Sequence, residues 1–521
     1  MSKPDERAAA LHALNRAAFG PRPGDVEMVA GMGARRYLER QLEPESIPIP
    51  PELRARIGEL PTLTMTPPEL FAEFQGPIRA AARGGAEAKK AARRDARRVI
   101  RDAVYARIVR ALYGPRQLQE TLTAFWFNHF NVFAGKGLCA IWTGAFEQEA
   151  IRPHTLGRFR DLLGATAKHP AMLFYLDNWR NAAPGSPGAR GKSDGVNENY
   201  AREVMELHTL GVNGGYRQDD VIALAHILTG WTMRRPGIGM RMRRGGAMGG
   251  GFFDGLRRWR GNETGPVADA YGFYFDPRRH DYGDHTLLGR KIPGEGMRAG
   301  ERALDLLAAS PATANHLSFE LAQYFVADDP PAALVERMAR RYLASDGDLR
   351  AVLETMFMSA EFADPRYYGA KLKTPYEYVI SCARAAGVEV LNANPLAGAM
   401  AMMGMPLYGC QTPNGYGNTR AAWLNPDGMM MRLSFATALG AGRLPLDRPP
   451  RNYVAGEPGA FGDPGGMRPA AYFTPPAPPD PAALAMTLGD QFTPHTAAAV
   501  ENAPPRLRAP LILGSPEFMM R

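Results

Sequence analysis

Cysteine is scarce in this chain. The 521 residues include three cysteines, Cys139, Cys382 and Cys410, and no two of them are neighbours in sequence. Because thiol zinc motifs and disulfide frameworks need several cysteines at regular spacings, neither kind of site is predicted.

Long apolar runs are also absent. No apolar stretch reaches the roughly 18 residues that a transmembrane helix needs, so no membrane span is predicted. Residues 1–7 lack the apolar core of a signal peptide, which predicts a cytoplasmic protein. Export together with a partner that carries a signal remains an alternative.

Several familiar catalytic and binding motifs are missing as well. The chain has neither a phosphate-binding Gly-x-x-x-x-Gly-Lys-Ser/Thr loop nor a Gly-x-Ser-x-Gly nucleophile elbow. Its basic runs lack the interleaved aromatic residues that stack nucleic-acid bases, so no nucleic acid is expected as a partner.

The composition is that of a globular protein with a net charge of +9, which favours anionic partners. A chain of this length is too long for one ordinary core. We predict four parts. They are a helical lobe over 1–230, a Gly/Arg-rich loop with short strands over 231–297, a second helical lobe over 298–440, and a Pro/Gly-rich tail with a terminal helix over 441–521.

The spacing of apolar residues predicts a mainly α protein, a multi-helix globular fold with short β-hairpins and long irregular loops. Residues 116–133 should form a buried aromatic helix, and helices should recur between 298 and 388. Short extended segments at 231–233 and 271–275 should pair as a hairpin. The sequence 353–362 is echoed by 509–518, since both are apolar runs ending in Ser-x-Glu-Phe, which suggests two copies of one helix end.

The segment 197–211, here called the Glu/His segment, concentrates ionisable side chains between apolar ones. On an ideal helix Asn199, Glu203 and Glu206 share one face, and His208 joins them only if the helix unwinds before Gly211. One interpretation is a structural ion-pair helix, in which Arg202 or Arg152 pairs with the glutamates. The other is a site in which Glu203, Glu206 and His208 bind a metal or act as acid and base.

Two further groups of polar residues are candidates for the same site. His280 and Asp281 lie in a loop, where they could bind metal or form a base, or where Asp281 could simply close a turn. His129 could be a buried core residue, but the adjacent Asn128 gives its helix a polar strip. Four other histidines have no acidic or histidine neighbour and receive no predicted role: His12, His226, His316 and His495.

The chain resembles the bacterial "domain of unknown function 1800" family over nearly its whole length. The similar motifs include residues 125–130 (Phe-Trp-Phe-Asn-His-Phe), the Glu/His segment, 228–231 (Leu-Thr-Gly-Trp) and 280–283 (His-Asp-Tyr-Gly). The resemblance implies a mostly helical fold and no particular activity. Members are often encoded beside sulfatase-like proteins, which implies a shared pathway or complex, and many relatives appear among exported proteins.

The leading hypothesis is a metal-dependent enzyme, with hydrolysis of an anionic or carbohydrate-type substrate first and oxidation second. Glu203, Glu206, His208 and His280 would bind a divalent metal, and His129 and Asp281 would complete the catalytic group in one cleft. The alternative is a non-catalytic helical scaffold or chaperone-like partner of a sulfatase-like protein.

Overall fold

The computed structural model describes residues 3–76, 85–189, 195–234, 267–448, 477–488 and 491–521. The predicted Gly/Arg-rich loop at 235–266 lies outside these residues, and so do residues 449–476 and 489–490 of the predicted Pro/Gly-rich tail. The described chain is mainly α, as predicted, with strands confined to two small antiparallel sheets. No described helix is both long enough and apolar enough to span a bilayer.

The first half of the chain is a succession of helices of varied length. The predicted aromatic helix forms over Gln117–His129, and its buried residues cover most of its circumference. In three places an α-helix continues directly into a π-helical turn, which is a rare and locally widened form: Phe71–Gln75, Glu147–Ile151 and Val204–His208. The α-helices of this half are Lys3–Ala17, Asp25–Met32, Ala34–Gln41, Pro51–Gly58, Pro67–Leu70, Ala86–Tyr113, Gln117–His129, Cys139–Phe146, Phe159–Lys168, Pro170–Tyr175, Asn199–Glu203 and Gln218–Ile227.

The second half repeats the pattern after the strands. The predicted helices between 298 and 388 form within a few residues of their predicted ends, whereas the helices at 394–402, 420–440 and 494–519 were not predicted. The α-helices are Met297–Ala308, Pro311–Phe325, Ala332–Ala344, Leu349–Phe357, Pro375–Ala385, Asn394–Met402, Arg420–Trp423, Pro426–Gly440, Pro481–Leu488, Pro494–Asn502, Pro505–Leu513 and Pro516–Met519.

Helix starts follow local hydrogen-bond chemistry. Before Pro375, the hydroxyl of Thr374 accepts from the amide of Glu377 at 3.3 Å, and the Glu377 carboxylate accepts from the Thr374 amide at 2.8 Å. This reciprocal capping satisfies amides that have no partner inside the helix, and proline fits the first helical position because it needs none. The same reasoning explains why the starts of helices between 298 and 388, such as those at Pro311 and Leu349, were predictable.

Strand pairing brings distant segments together near the middle of the chain. Strand β1 (Trp231–Met233) pairs with β3 (Phe273–Phe275) as predicted, with Trp231 opposite Phe275. Two features were not predicted: β2 (Val267–Ala268) adds to β3, and β4 (His285–Leu287) forms a hairpin with β5 (Arg290–Ile292). The β1–β3 register places the residues just before β1 beside the loop that follows β3.

The sequence echo is a repeated helix end. At each copy a serine hydroxyl donates to the carbonyl three residues earlier and accepts from the amide of the phenylalanine three residues later. The distances are 2.7 and 3.1 Å at Ser359 and 2.9 and 3.2 Å at Ser515. Phe362 and Phe518 are both buried, so each Ser-x-Glu-Phe turn anchors a helix end in the core.

A buried ion-pair network connects helices Ala86–Tyr113 and Gln117–His129 with the π-turn Glu147–Ile151. Glu147, which is 0% exposed, accepts from Arg107 at 3.1 Å and from the Tyr408 hydroxyl at 2.9 Å. Arg152 lies 3.5 Å from Glu147 and binds both carboxylate oxygens of Glu120, at 2.7 and 3.0 Å. Two carboxylates are thus matched by two guanidinium groups, and their buried charges are compensated.

Lys373 is a buried lysine whose ammonium group donates to two neutral oxygens. Its Nζ lies 2.9 Å from the Ser381 hydroxyl and 2.8 Å from the Phe518 carbonyl. Burial disfavours the charged form and lowers the pKa of Lys373 to about 7.

This lysine should make stability depend on pH in the alkaline range. Between the folded pKa near 7 and the unfolded value near 10.5, the unfolded chain binds a proton that the folded chain does not. The free energy of unfolding should therefore rise with pH in this window, by up to about 1.4 kcal/mol per pH unit from this group. Urea unfolding from pH 7 to 9.5 should show a smaller slope for Lys373→Met than for wild type, whereas the exposed control Lys90→Met should keep the wild-type slope. An equal slope in Lys373→Met would contradict the assignment.

Candidate functional site

The Glu/His segment changes its helical form in the middle. An α-helical turn over Asn199–Glu203 passes into the π-helical turn Val204–His208, and Gly211 leaves the helix with a φ of +82°. The geometry expected on an ideal helix therefore applies only to the first turn. π-Helical turns are frequent at functional sites, so this change of helical form agrees with the choice of the segment as a candidate.

Two histidines from other helices hold the end of this π-turn. The last carbonyls of a helix lack partners within it. His129 Nε2 lies 3.2 Å from the His208 carbonyl and His316 Nε2 lies 3.2 Å from the Leu207 carbonyl, so both rings donate there. The carboxylate of Glu320 lies 2.7 Å from His129 Nδ1 and 3.8 Å from His316 Nε2, and it orients both rings.

This arrangement gives His129 a positioning role at the end of the helix. Both of its ring nitrogens face oxygen acceptors, so neither offers a lone pair to a metal or a substrate proton. Glu320 follows His316 by one helical turn, a spacing that brings the two side chains together, and it was not among the predicted site residues. The catalytic role of His129 stays a prediction.

His208 is enclosed rather than accessible. It is 1% exposed, its ring centroid lies 4.9 Å from that of Phe130, and its Nε2 atom has no hydrogen-bond partner. Burial, together with the nearby His129 and His316, holds the pKa of His208 well below its ordinary value, so the ring is neutral.

Glu203 and Glu206 lack the arginine partners that the ion-pair interpretation assigned to them. Arg202 instead binds Glu198 and Gln218, both at 3.0 Å, and Arg152 belongs to the Glu147 network. Glu206 accepts a long hydrogen bond of 3.4 Å from the Tyr216 hydroxyl. Partial burial, and then the charge of Glu206, raise the pKa of Glu203. That form of the structural interpretation is therefore wrong for these two glutamates.

The two candidate asparagines, Asn199 and Asn128, hydrogen-bond to the backbone and so have structural contacts. Asn199 donates to the Leu176 carbonyl at 3.1 Å. Asn128 donates to the Tyr416 carbonyl at 2.8 Å and accepts from the Tyr416 amide at 2.7 Å, which fixes a distant loop against the aromatic helix.

The His280–Asp281 loop meets a histidine that was given no predicted role. His226, near the end of helix Gln218–Ile227, places Nδ1 2.6 Å from Asp281 Oδ2, and His285 places Nε2 3.3 Å from the same oxygen. The His226 and His285 rings lie face to face with centroids 5.0 Å apart. These three residues form the group in the described chain whose potential metal-ligand atoms all lie within 4.8 Å of one another.

Thr229 joins the two parts of this group. Its hydroxyl donates to the His226 carbonyl at 2.6 Å and accepts from the Asp281 amide at 2.8 Å. Its carbonyl accepts from His280 Nδ1 at 2.8 Å. The β1–β3 pairing brings these segments together, and at Gly230 a Cβ atom would lie 2.6 Å from the Asp276 carbonyl, so a side chain does not fit there.

The electrostatics of the group follow from these bonds. Burial alone would raise the pKa of Asp281, but the Gly283 amide and His226 donate to its carboxylate and lower it, so Asp281 is ionised. Burial lowers the pKa of His280, whose proton is held on Nδ1 by Thr229. Its Nε2 atom is buried without a partner. The side chains of His226, Asp281 and His285 are 25, 23 and 20% exposed, so the group is open to small molecules.

The predicted single cleft thus divides into separate groups. Asp281 and His280 lie at the histidine–aspartate group, whereas His208 and His129 lie at the end of the π-turn. Among the described residues, no hydrogen bond or ion pair connects Glu203 or Glu206 with either histidine of the loop. His226 and His285 were not predicted to meet in this group, and they are 59 positions apart in the sequence. The sequence feature that could have indicated His226 is its position just before the Leu-Thr-Gly-Trp motif.

Glu203 offers a direct test of its unpaired state. At neutral pH, Glu203→Gln should unfold within about 0.5 kcal/mol of wild type or be more stable, because the amide removes a partly buried charge that makes no ion pair with a described cationic side chain. The matched variant Glu147→Gln should lose roughly 3–5 kcal/mol, because it leaves buried guanidinium charges uncompensated. Urea unfolding followed by circular dichroism measures both, and a comparable loss in both variants would contradict the description of Glu203.

Comparison with known proteins identifies the family and no closer relative. No curated protein and no solved structure matches the chain. The model of the family described as "Protein of unknown function (DUF1800)" matches residues 12–520. Because this match covers nearly the whole sequence, the chain belongs to the DUF1800 family.

Proposed function

We propose that this protein is a metal-dependent enzyme whose divalent cation binds His226, Asp281 and His285. The observation that carries the proposal is the convergence of two imidazoles and an ionised carboxylate, with ligand atoms within 4.8 Å of one another at a partly open position. His226 Nδ1 hydrogen-bonds to Asp281 Oδ2, and His285 Nε2 lies 3.3 Å from the same oxygen without making a hydrogen bond to it.

The three ligand types limit which metal ions and reactions the site would support. Two histidines and one carboxylate, with coordination positions left for water and substrate, are typical of catalytic zinc sites and of non-haem iron sites. A divalent cation so bound polarises a substrate oxygen and makes a water molecule more acidic. We place hydrolysis first because water is its only co-substrate, and oxidation second.

The surrounding residues fix the ligands in place. The Gly283 amide occupies Asp281 Oδ1 at 2.8 Å, which leaves Oδ2 directed at the two histidines. Thr229 ties both segments together, as supporting residues around metal ligands generally do. His280 is held by the same threonine with an unused Nε2, and we retain it as a candidate fourth ligand or base.

An anionic or carbohydrate-type substrate agrees with the net charge of +9 of the whole chain, which favours anionic partners. The cations beside this loop add little to that argument, because Arg278 pairs with Asp276 at 3.4 Å and Lys291 pairs with Asp284 at 2.7 Å. Glu203, Glu206 and His208 carry no part of this proposal, and their assignment to a metal stays a prediction.

Metal content tests the proposal directly. Purified protein should contain about one equivalent of a divalent transition metal, and His226→Gln and His285→Gln should reduce it roughly tenfold or more. Chelation should lower the melting temperature of wild type, by the equivalent of about 4 kcal/mol where free metal had been near 1,000 times its Kd. Elemental analysis and thermal melting with and without chelator measure these effects.

His495→Gln is the matched control, because this exposed histidine lies on the distant helix Pro494–Asn502. It should retain wild-type metal content. Wild-type protein without stoichiometric metal, whose melting is unchanged by chelator and by added Zn²⁺, Fe²⁺ or Mn²⁺, would refute the metal centre.

A second candidate function is that of a helical scaffold for a sulfatase-like protein. The specific observation in its favour is a set of exposed large apolar side chains in the last quarter of the chain, since such surfaces often contact other proteins. They are Met402, Leu424, Met430, Leu433, Met486, Leu507 and Leu511.

This alternative predicts that the two co-expressed proteins elute together from a sizing column. The pair of changes Met430→Glu and Leu433→Glu should abolish co-elution, whereas Met28→Glu, at an exposed apolar residue near the other end of the chain, should not. Separate elution of the wild-type proteins would refute the scaffold.

A further inference from the structure

A cavity of about 380 Å³ lies between the first helix and the last residues of the chain, on elements that the metal centre does not use. Its volume is within the range of roughly 300–1,000 Å³ that is usual for small-molecule sites. Apolar side chains, including Leu11, Val26, Leu488 and Met520, form much of its wall, and His12, Arg7 and Arg521 contribute polar groups. This combination of an apolar wall with a few polar groups is typical of ligand pockets.

His12 presents an unused hydrogen-bond acceptor at this cavity. Its Nε2 donates to the Phe362 carbonyl at 3.0 Å, and its ring stacks on Tyr368 with centroids 4.2 Å apart. Burial and the nearby Arg16 lower the pKa of His12 to about 3, so the ring is neutral and Nδ1 carries a lone pair. His12 is 5% exposed, and no described residue is a hydrogen-bond partner of its Nδ1, so a hydrogen-bond donor on a ligand would satisfy it.

Two buried arginines present unused donors in the same region. Arg521 pairs with Glu377 at 3.0 Å and donates to the Tyr324 carbonyl at 2.7 Å, but its Nε has no partner. Arg16 follows the lining residue Asn15, is 0% exposed and donates to the Tyr367 carbonyl, while its Nε and one terminal nitrogen have no partner among the described residues. Unmatched guanidinium donors of this kind call for an anionic acceptor.

The buried charges around these arginines are unbalanced. The cationic side chains interact with two carboxylates, Glu377 and Asp328, in the described part of the chain. Glu517 also lines the cavity as a third carboxylate, to which Thr493 and Thr496 donate. The cations are Arg16, Lys371, Arg432 and Arg521, each at most 3% exposed. Lys373 is not counted, because burial lowers its pKa to about 7. Four cations therefore face three carboxylates.

We propose that this cavity binds a small organic acid that combines an anionic group, a hydroxyl group and a short apolar chain. The anion is attracted by the excess of buried positive charge and accepts from Arg521. The hydroxyl donates to His12 Nδ1, and the chain packs on the apolar wall. This binding site is independent of the proposed metal chemistry.

Calorimetry with three probes tests the chemistry of the ligand. 3-Hydroxyoctanoate should bind, octanoate should bind roughly tenfold more weakly because His12 then stays unsatisfied, and 1,3-octanediol should bind roughly a hundredfold more weakly because it has no charge. Failure of both acids to bind would overturn the proposal. Equal affinity for all three probes would overturn it too, because the site would then be merely apolar.

Two variants locate the binding. Ala8→Phe adds bulk to an exposed residue that lines the cavity, and it should weaken 3-hydroxyoctanoate at least tenfold while leaving the melting temperature of the free protein unchanged. Arg7→Gln removes a lining cation and should weaken it severalfold. The control Arg35→Gln removes an exposed arginine that does not line the cavity and that pairs with Glu39. This variant should bind 3-hydroxyoctanoate as wild type does. Normal binding by a stably folded Ala8→Phe would overturn the assignment to this cavity.

Discussion

Several segments of the chain meet at the carboxylate of Glu147, which has no contact with solvent. An isolated charge at that depth would cost several kcal/mol, so Arg107, Arg152 and the Tyr408 hydroxyl must all reach it at once. Arg152 in turn fixes Glu120 on the aromatic helix. That helix carries the asparagine that clamps the loop at 416 and the histidine that holds the π-turn. The position of the Glu/His segment thus depends on satisfying one buried charge.

The same requirement separates structural polar groups from functional ones. Around Glu147 two carboxylates meet two guanidinium groups, although the Nε atoms of Arg107 and Arg152 have no hydrogen-bond partner among the described residues. His129 and His316 are satisfied by carbonyls and Glu320. At the two candidate sites, in contrast, such groups lie beside open space: the side chains of His226, Asp281 and His285 are 20 to 25% exposed, and His12 and Arg521 line a cavity. Unsatisfied polar groups that also face open space indicate ligands.

Local chemistry explains how much could be predicted. Capping residues such as Ser310 and Thr374 act within a few residues of themselves, and so the helix ends between 298 and 388 were predictable. The Ser-x-Glu-Phe echo was visible for the same reason, since each copy lies within a short stretch of sequence. Asp281 was recognised for a similar reason, since its loop is polar over a short stretch. The partnership of Asp281 with His226 depends on the β1–β3 register, and the partnership of His129 with Glu320 spans 191 residues. No local pattern encodes such contacts, so both partners were missed.

Residue type alone therefore misleads in this chain. The Glu/His segment has the densest group of candidate ligands, yet its π-turn buries His208 and directs its last carbonyls at two other histidines. The segment 226–285 has its ligands scattered, yet Thr229 draws them together where solvent can reach them. The two segments differ in whether nitrogen and oxygen atoms with free lone pairs lie where solvent can reach them. His129 has none, whereas a cation could replace the His226–Asp281 hydrogen bond and the 3.3 Å contact of His285 with the same oxygen, and this difference favours the second group as the proposed metal centre.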